Sequence, residues 1–302
     1  VNSGILLVDK PQGITSHDVV ARTRRLAGTR KVGHAGTLDP MATGLLILGV
    51  GSATRLLHHL VGLDKEYLAT MRLGWDTTTD DAEGEPLAAA CADRVAAADE
   101  AVVREAMRAW TGDIEQVPST VSAVKVAGRR AYQRARDGEA VELQARPVTV
   151  SAFDLLALRP GDGHVDVDVR VACSSGTYVR ALARDVGADL GTGGHLTALR
   201  RTRIGAFGVA EASVLDGLDV AEVILSPADA ARRTLPVASI SAQEAVDLGH
   251  GKRITAPGEL ATASSGTPIA AIDPGDRLVA IVERRGAELK VVTGFPAEEA
   301  SA

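Results

Sequence analysis

Apolar and polar positions along the chain follow two rhythms. Gly4 to Asp9 carries the run Ile5, Leu6, Leu7, Val8 and stops at Lys10-Pro11-Gln12-Gly13, which predicts a short buried strand ending in a turn. Val19, Val20, Thr23 and Leu26 then recur at helical spacing. Thr15 and Asp18 ahead of them have capping-box spacing, and Gly28 is a natural stop. Leu45 to Val50 reads as a buried element, and Tyr67 to Leu73 as a strand. Between the first helix and Leu45, Gly33-His34-Ala35-Gly36-Thr37-Leu38-Asp39-Pro40 reads as a glycine-punctuated loop.

Asp76 to Pro86 reads as a polar, acidic loop, and Ala96 to Trp110 as a helix through Val102, Val103, Ala106, Met107 and Trp110. Val165, Val167, Val169, Val171 and Cys173 alternate with Asp166, Asp168 and Arg170, the period of a half-buried strand. After Ser174-Ser175-Gly176 a helix is predicted from Thr177 or Tyr178 to Leu190, closed by Gly191, and Arg203 to Val209 suggests another strand. The character changes around Leu235-Pro236. Ser241 to Leu248 is a short helical pattern, Gly249-His250-Gly251-Lys252 a turn, and Pro268 to Ile272, Leu278 to Glu283 and Leu289 to Thr293 are strand-like. The expectation is an α+β chain with one domain over residues 1–235 and a small β-rich domain over 236–302.

Composition narrows the class. At 302 residues, 45% apolar and 24% charged, the chain matches a soluble globular protein. No apolar run approaches the roughly 20 residues of a membrane span. Val1 to Lys10 reads as a strand and not as a leader, and two cysteines cannot build a disulfide framework. These features set the expectation of a cytoplasmic, monomeric protein. A net charge of −6 argues against a nucleic-acid binder. The distribution of that charge reopens the question, because Arg22, Arg24, Arg25, Arg30 and Lys31, then Lys125, Arg129, Arg130, Arg134 and Arg136, then Arg200, Arg201 and Arg203 form three basic clusters. Clusters like these fit a polyanionic partner or an ordinary solvated surface equally well.

Several chemistries drop out. Gly49-Val50-Gly51 lacks the third glycine of a dinucleotide site, no phosphate-binding Gly-Lys-Ser/Thr loop is present, and no Gly-x-Ser-x-Gly elbow occurs. Adjacent His58 and His59 diverge on a helix, and Cys91 and Cys173 have no partner at zinc spacing, so no metal and no cofactor is expected. What remains is a carboxylate, an arginine and a tyrosine. Asp39 is pushed toward an extended conformation by Pro40, in a loop whose glycines permit tight turns; Leu-Asp-Pro is also an ordinary turn. Arg180 stands near the start of a predicted helix, where a plain surface cation is equally at home. Tyr67 is one of only three tyrosines, and an ordinary strand residue by position.

Taken in order, Gly4 to Gly13, Gly33 to Gly44, Lys65-Glu66-Tyr67, Asp80-Asp81-Ala82-Glu83-Gly84 and Cys173 to Arg180 resemble the motifs of the bacterial tRNA pseudouridine synthases that modify the T-loop uridine, position 55 (the TruB family). The resemblance covers residues 4 to 210 or so, and the tail more weakly resembles a PUA RNA-binding domain, best at Leu248 to Lys252. It implies a pseudouridine synthase domain with a mixed, mostly antiparallel sheet, a PUA-like second domain, and isomerisation of a flipped-out uridine of the tRNA T-arm without a cofactor. It implies that Asp39 is the catalytic carboxylate, that Arg180 pairs with it, and that Tyr67 stacks on the uracil and helps remove the C5 proton. His34 would fill the space the base leaves, and Asp81 and Tyr178 would stand around the pocket.

Arg22, Arg25, Arg30, Lys31, Lys125, Arg129, Arg130, Arg200 and Arg201 become candidates for phosphate contact, and residues 111–140, with Gly112, Gly128 and Gly138 as bending points, for a mobile RNA-gripping insertion. Two features depart from the family: the acidic net charge, and Ser175 where a lysine is common. A non-catalytic RNA-binding protein or tRNA folding chaperone on the same scaffold is the competing reading. The intact Asp39, Tyr67 and Arg180 set counts against it.

Overall fold

The computed structural model of the chain describes residues 2–119, 125–126, 129–130, 143–260 and 264–296. It divides into two compact units. One runs to Pro40 and adds Gly44–Gly62 and everything from Gly205 onward, and the other takes Met41–Thr43 and Leu63–Ile204.

In the first unit the opening apolar run forms the strand Gly4–Lys10, which pairs antiparallel with Thr43–Val50 from Gly4 opposite Val50 to Lys10 opposite Gly44. Ser213–Val214 joins Gly4–Lys10 in parallel, so this sheet is mixed. The predicted capping box forms: the Asp18 amide donates to Thr15 Oγ1 at 3.1 Å and the Thr15 amide to Asp18 Oδ2 at 2.8 Å, starting the helix Ser16–Leu26. Its apolar stripe, Val19 and Val20, closes a core with Leu6, Val8, Leu46, Leu48 and Val50. One expectation is corrected here. The stretch read as a single loop begins as a strand, Val32–Ala35, with Gly33 opposite Gly49 and His34 opposite Leu48. The loop proper starts at Gly36, whose φ of 91° suits glycine.

The C-terminal part of that unit is a five-stranded sheet in the order Val237–Ser239, Ile269–Ile272, Leu278–Arg285, Glu288–Gly294, Ile254–Thr255. The helix Ala242–Gly249, capped reciprocally by Ser241 and Glu244, covers a core of Ile240, Leu248, Ile269, Val282 and Leu289. The two outer strands are too short to leave a periodic signal.

The second unit is an antiparallel sheet in the order Gly194–Ile204, Lys65–Leu73, His164–Cys173, Arg146–Gly161, Gly112–Gln116. Its alternating strand behaves as expected, with Val165, Val167, Val169 and Val171 buried. Its polar positions are tied into ion pairs: Asp166 with Arg72, Asp168 with Arg159, and Arg170 with Glu66 and Asp154. The strand foreseen over Arg203 to Val209 covers only the end of Gly194–Ile204 and a separate short strand, Phe207–Gly208, and bulges between Leu196 and Ala198 and between Arg201 and Arg203 break the period that would have revealed the longer one.

The helix foreseen over Ala96 to Trp110 starts later, as Glu100–Ala109, after a separate short helix, Ala92–Ala96. Asp99 caps the longer one by accepting from the Val102 amide at 2.9 Å. The acidic loop is a hairpin of Trp75–Thr77 and Pro86–Ala89. The helix Val179–Leu190 lies so close to the next strand that a Cβ on Gly187 would come within 2.4 Å of the Gly194 nitrogen. Within the expected insertion, Gly112–Gln116 is the edge strand and Lys125–Val126 pairs with Arg129–Arg130. Residues 120–124, 127–128 and 131–140 of it, with Gly128 and Gly138, lie outside the described residues.

Candidate active site

In the first unit the chain around Asp39 is held on both sides. Asp39 is itself half-buried, between buried Leu38 and half-buried Pro40. Before it, Ser16 Oγ accepts from the Leu38 amide at 2.9 Å and donates to the Leu38 carbonyl at 3.0 Å. After it, the Pro40 carbonyl accepts from the Gly13 amide at 2.8 Å and from Lys10 Nζ at 3.3 Å. Lys10 is fully buried and also donates to the carbonyls of Ile14 at 2.7 Å and Pro11 at 3.0 Å. A buried ammonium without acceptors would be costly, and three carbonyl oxygens are a suitable cage. In the sequence Lys10 marks the turn after the first strand; its role as an anchor for the Asp39 loop is a tertiary feature. His34 sits half-buried on Val32–Ala35, its ring edge-on to that of His17 with centroids 5.6 Å apart.

In the second unit Tyr67 is 7% exposed, on the strand Lys65–Leu73, with Val171 and Arg201 as its ladder neighbours. Lys65, two residues earlier on the same face, is buried too and donates to the Leu63 carbonyl at 2.5 Å. Burial, and then the neighbouring Arg201 charge, push its ammonium down to about 8. Across the ladder, burial pushes the Cys173 thiol up to about 11.

Arg180 occupies the first turn of Val179–Leu190 with only 4% of its surface exposed. Its Nη1 donates to the Thr79 carbonyl at 2.8 Å and lies 3.4 Å from Asp81 Oδ2. The other oxygen of Asp81 accepts from Thr79 Oγ1 at 2.5 Å and from the Glu83 amide at 3.1 Å. One turn along the helix, Arg184 reaches Asp80 at 3.2 Å and the Val117 carbonyl at 2.8 Å. Asp80, between the two held residues, takes a φ of 60°. Two arginines at i and i+4 therefore hold the Thr79–Asp81 loop against one helix. Asp81 and Arg180 were both candidates, but their mutual contact and the part of Arg184 were not foreseen. Tyr178 is the residue before this helix; its amide donates to Gln116 Oε1 at 2.8 Å and its carbonyl accepts from Gln116 Nε2 at 3.1 Å.

The basic candidates separate into kinds. Arg25, Arg30 and Lys31 are exposed, and Arg22 is half-exposed, 3.6 Å from Asp216. Arg200 is half-buried and donates to Thr43 Oγ1 at 3.4 Å. Arg201 corrects the expectation of a surface phosphate contact: it is 1% exposed, turned inward on the strand opposite Tyr67. The side chains of Lys125, Arg129 and Arg130 lie outside the described residues.

Residues 24–179 match the model of the TruB family pseudouridylate synthase N-terminal domain. Residues 180–235 match the tRNA pseudouridylate synthase B C-terminal domain, and 235–296 the C-terminal model of tRNA pseudouridine synthase II. The chain is 56% identical over 299 residues to the tRNA pseudouridine synthase B of Leifsonia xyli, covering 99% of this chain and 98% of that one. It is 55% identical to that of Thermobifida fusca, covering 97% and 98% of the two chains. Among solved structures it resembles a chain of a Cbf5-Nop10-Gar1 complex with a TM-score of 0.72 and 26% identity, over 97% of this chain and 85% of that one. A second likeness, TM-score 0.71 and 25% identity over 97% and 85% of the two chains, is to a chain of an H/ACA RNP bound to a substrate RNA containing 2′-deoxyuridine.

Proposed function

The chain belongs to the TruB family of pseudouridylate synthases and is an isomerase that converts a uridine of tRNA to pseudouridine, and we propose that the target is the T-loop uridine at position 55, with Asp39 as the catalytic carboxylate. The observation that carries this reading is the mounting of Asp39: the peptides on either side are pinned by buried donors and acceptors, while the residue itself is only half-buried. A rigid mount for the reactive group is what positional catalysis requires.

The reaction breaks the bond from C1′ to N1, turns the uracil and joins C1′ to C5, so atoms and electrons balance within one nucleotide. The proton that leaves C5 is matched by one gained at N1. Nothing is oxidised and no group is transferred from a cofactor. A base inside a folded loop has to be extruded first, at a cost of a few kcal/mol. Tyr67 stacks on the extruded uracil, worth about 1–3 kcal/mol, and assists loss of the C5 proton. Arg180, oriented by Asp81 and the Thr79 carbonyl, is the cation of the catalytic set. His34 fills the space the base leaves, and Tyr178 lines the pocket.

Residues 1–235 carry the catalysis, and 236–302 act as a PUA-like RNA-binding domain. Arg22, Arg25, Arg30, Lys31, Lys125, Arg129, Arg130 and Arg200 meet phosphates, which position the RNA without reading its sequence. In this reading the enzyme works as a monomer on the T-arm, in the cytoplasm. The test is tritium release from a T-arm RNA labelled at uridine C5. Asp39→Ala and Asp39→Asn are expected to abolish release while still binding the RNA. Wild-type turnover in either variant would sink the assignment of Asp39. Binding without release by the unaltered protein would favour the chaperone reading.

A further inference from the structure

We propose that Ser16 is a positioning residue for Asp39, setting through Leu38 the direction in which the carboxylate leaves the backbone. The inference rests on the reading of Asp39 as the catalytic group. Its basis is one buried hydroxyl used twice. Ser16 Oγ accepts from the Leu38 amide at 2.9 Å and donates to the Leu38 carbonyl at 3.0 Å, and Ser16 is 1% exposed. The Leu38 carbonyl belongs to the planar peptide that carries the Asp39 nitrogen and Cα. Fixing that carbonyl fixes the plane from which Asp39 departs.

On the far side Pro40 has its own φ locked by its ring and restricts the backbone of Asp39. Its carbonyl is held by the Gly13 amide at 2.8 Å and by Lys10 Nζ at 3.3 Å. With both flanks set, the direction in which the Asp39 side chain leaves the backbone is set with them.

Among the described residues the hydroxyl bonds only to Leu38. Ser16 is the first residue of the helix Ser16–Leu26, yet the capping of that helix belongs to Thr15 and Asp18. The anchoring point is itself rigid, because Val19 and Val20 seat the helix in the core. A displacement of about 1 Å in a reacting group can cost about a hundredfold in rate. Loss of the Ser16 clamp frees a shift of that order at the residue before Asp39.

A purely structural role predicts something different. If Ser16 only satisfied two buried backbone groups, its removal would lower stability and the fraction of folded enzyme, and the folded remainder would react at the normal rate. Single-turnover tritium release by the full chain separates the two, since amplitude reports the competent fraction and the rate constant reports positioning. For Ser16→Ala the expected result is a rate constant lowered about a hundredfold, with RNA dissociation constant and normalised amplitude within about twofold of the parent. An unchanged rate constant with reduced amplitude overturns the proposal. Should Ser16→Ala not fold, Ser16→Cys, which keeps the size and weakens the hydrogen bonds, is read by the same rule. Asp39→Asn is run in parallel. Turnover in Asp39→Asn removes the premise, whereas an inactive Asp39→Asn beside a Ser16→Ala of normal rate removes only the role of Ser16.

Discussion

Arg180 and Asp81 meet at 3.4 Å with side chains only 5% and 4% exposed, and the same guanidinium nitrogen donates to the Thr79 carbonyl at 2.8 Å. A planar fork can keep both contacts in a fixed geometry; an ammonium on a flexible stem cannot. Arg180→Lys is therefore expected to keep the fold and lose about a hundredfold or more in single-turnover rate, the scale of a misplaced group. Arg180→Met leaves Asp81 buried without its cation and is expected to cost about 3–5 kcal/mol in urea unfolding. If the lysine variant turns over at the parent rate, the fork geometry is irrelevant to the reaction.

Asp80 carries the backbone strain of the same loop. Its φ of 60° is a left-handed conformation that Asn and Asp adopt more readily than other side-chain-bearing residues. It also pairs with Arg184 at 3.2 Å. Asp80→Asn and Asp80→Ala both lose the charge pair, but only the alanine also pays the left-handed penalty. Urea unfolding should place Asp80→Ala about 1–2 kcal/mol below Asp80→Asn. Equal midpoints and slopes for the two would show that the loop relaxes without cost.

The parts legible in the sequence are those whose cause is local. The capping box of Thr15 and Asp18, the apolar run from Ile5 to Val8, and the alternation from Val165 to Cys173 each depend on neighbours along the chain, and each appears where the pattern placed it. Family membership was legible for another reason: five short motifs in order are specific even when no single one is. Three-dimensional partnership was not legible. Lys10 reaches Pro40, 30 positions away, and Ser16 reaches Leu38, 22 away, so neither shows a local signal of its role beside Asp39. Arg201 looks in sequence like any other member of a basic cluster, and only the pairing of Gly194–Ile204 shows it inward, opposite Tyr67.

Lys65 makes stability depend on alkaline pH. Burial lowers its ammonium from 10.5 to about 8 in the folded chain, while the unfolded chain keeps the ordinary value. Between those values the unfolded state binds more protons, so stability rises as pH rises through that window. At neutral pH both states are charged and the penalty is fully present, roughly 3 kcal/mol for a shift of this size. Lys65→Met should remove the rise. Chemical unfolding of both proteins at pH 7 and 10 checks it, because the difference between them cancels the other titrating groups. Parallel pH profiles would mean that Lys65 stays solvated in the fold.

Arg25 and Arg201 belong to similar basic clusters but should behave as opposites. Arg25 is exposed on the helix Ser16–Leu26, where a phosphate can reach it. If it meets RNA, Arg25→Ala weakens binding and makes the plot of log affinity against log salt less steep by up to about one, since one fewer counterion is released. Arg201 is 1% exposed, so no counterion is condensed around a phosphate on its account. Arg201→Met should leave the salt slope unchanged. Its effect should fall on the interior: with the Arg201 charge gone from beside Lys65, the ammonium of Lys65 loses one of the causes that lower it, and the alkaline rise in stability becomes shallower. Filter binding across a salt series, together with unfolding at pH 7 and 10, reads both effects in the same two variants. A changed salt slope in Arg201→Met would place that side chain at the RNA after all.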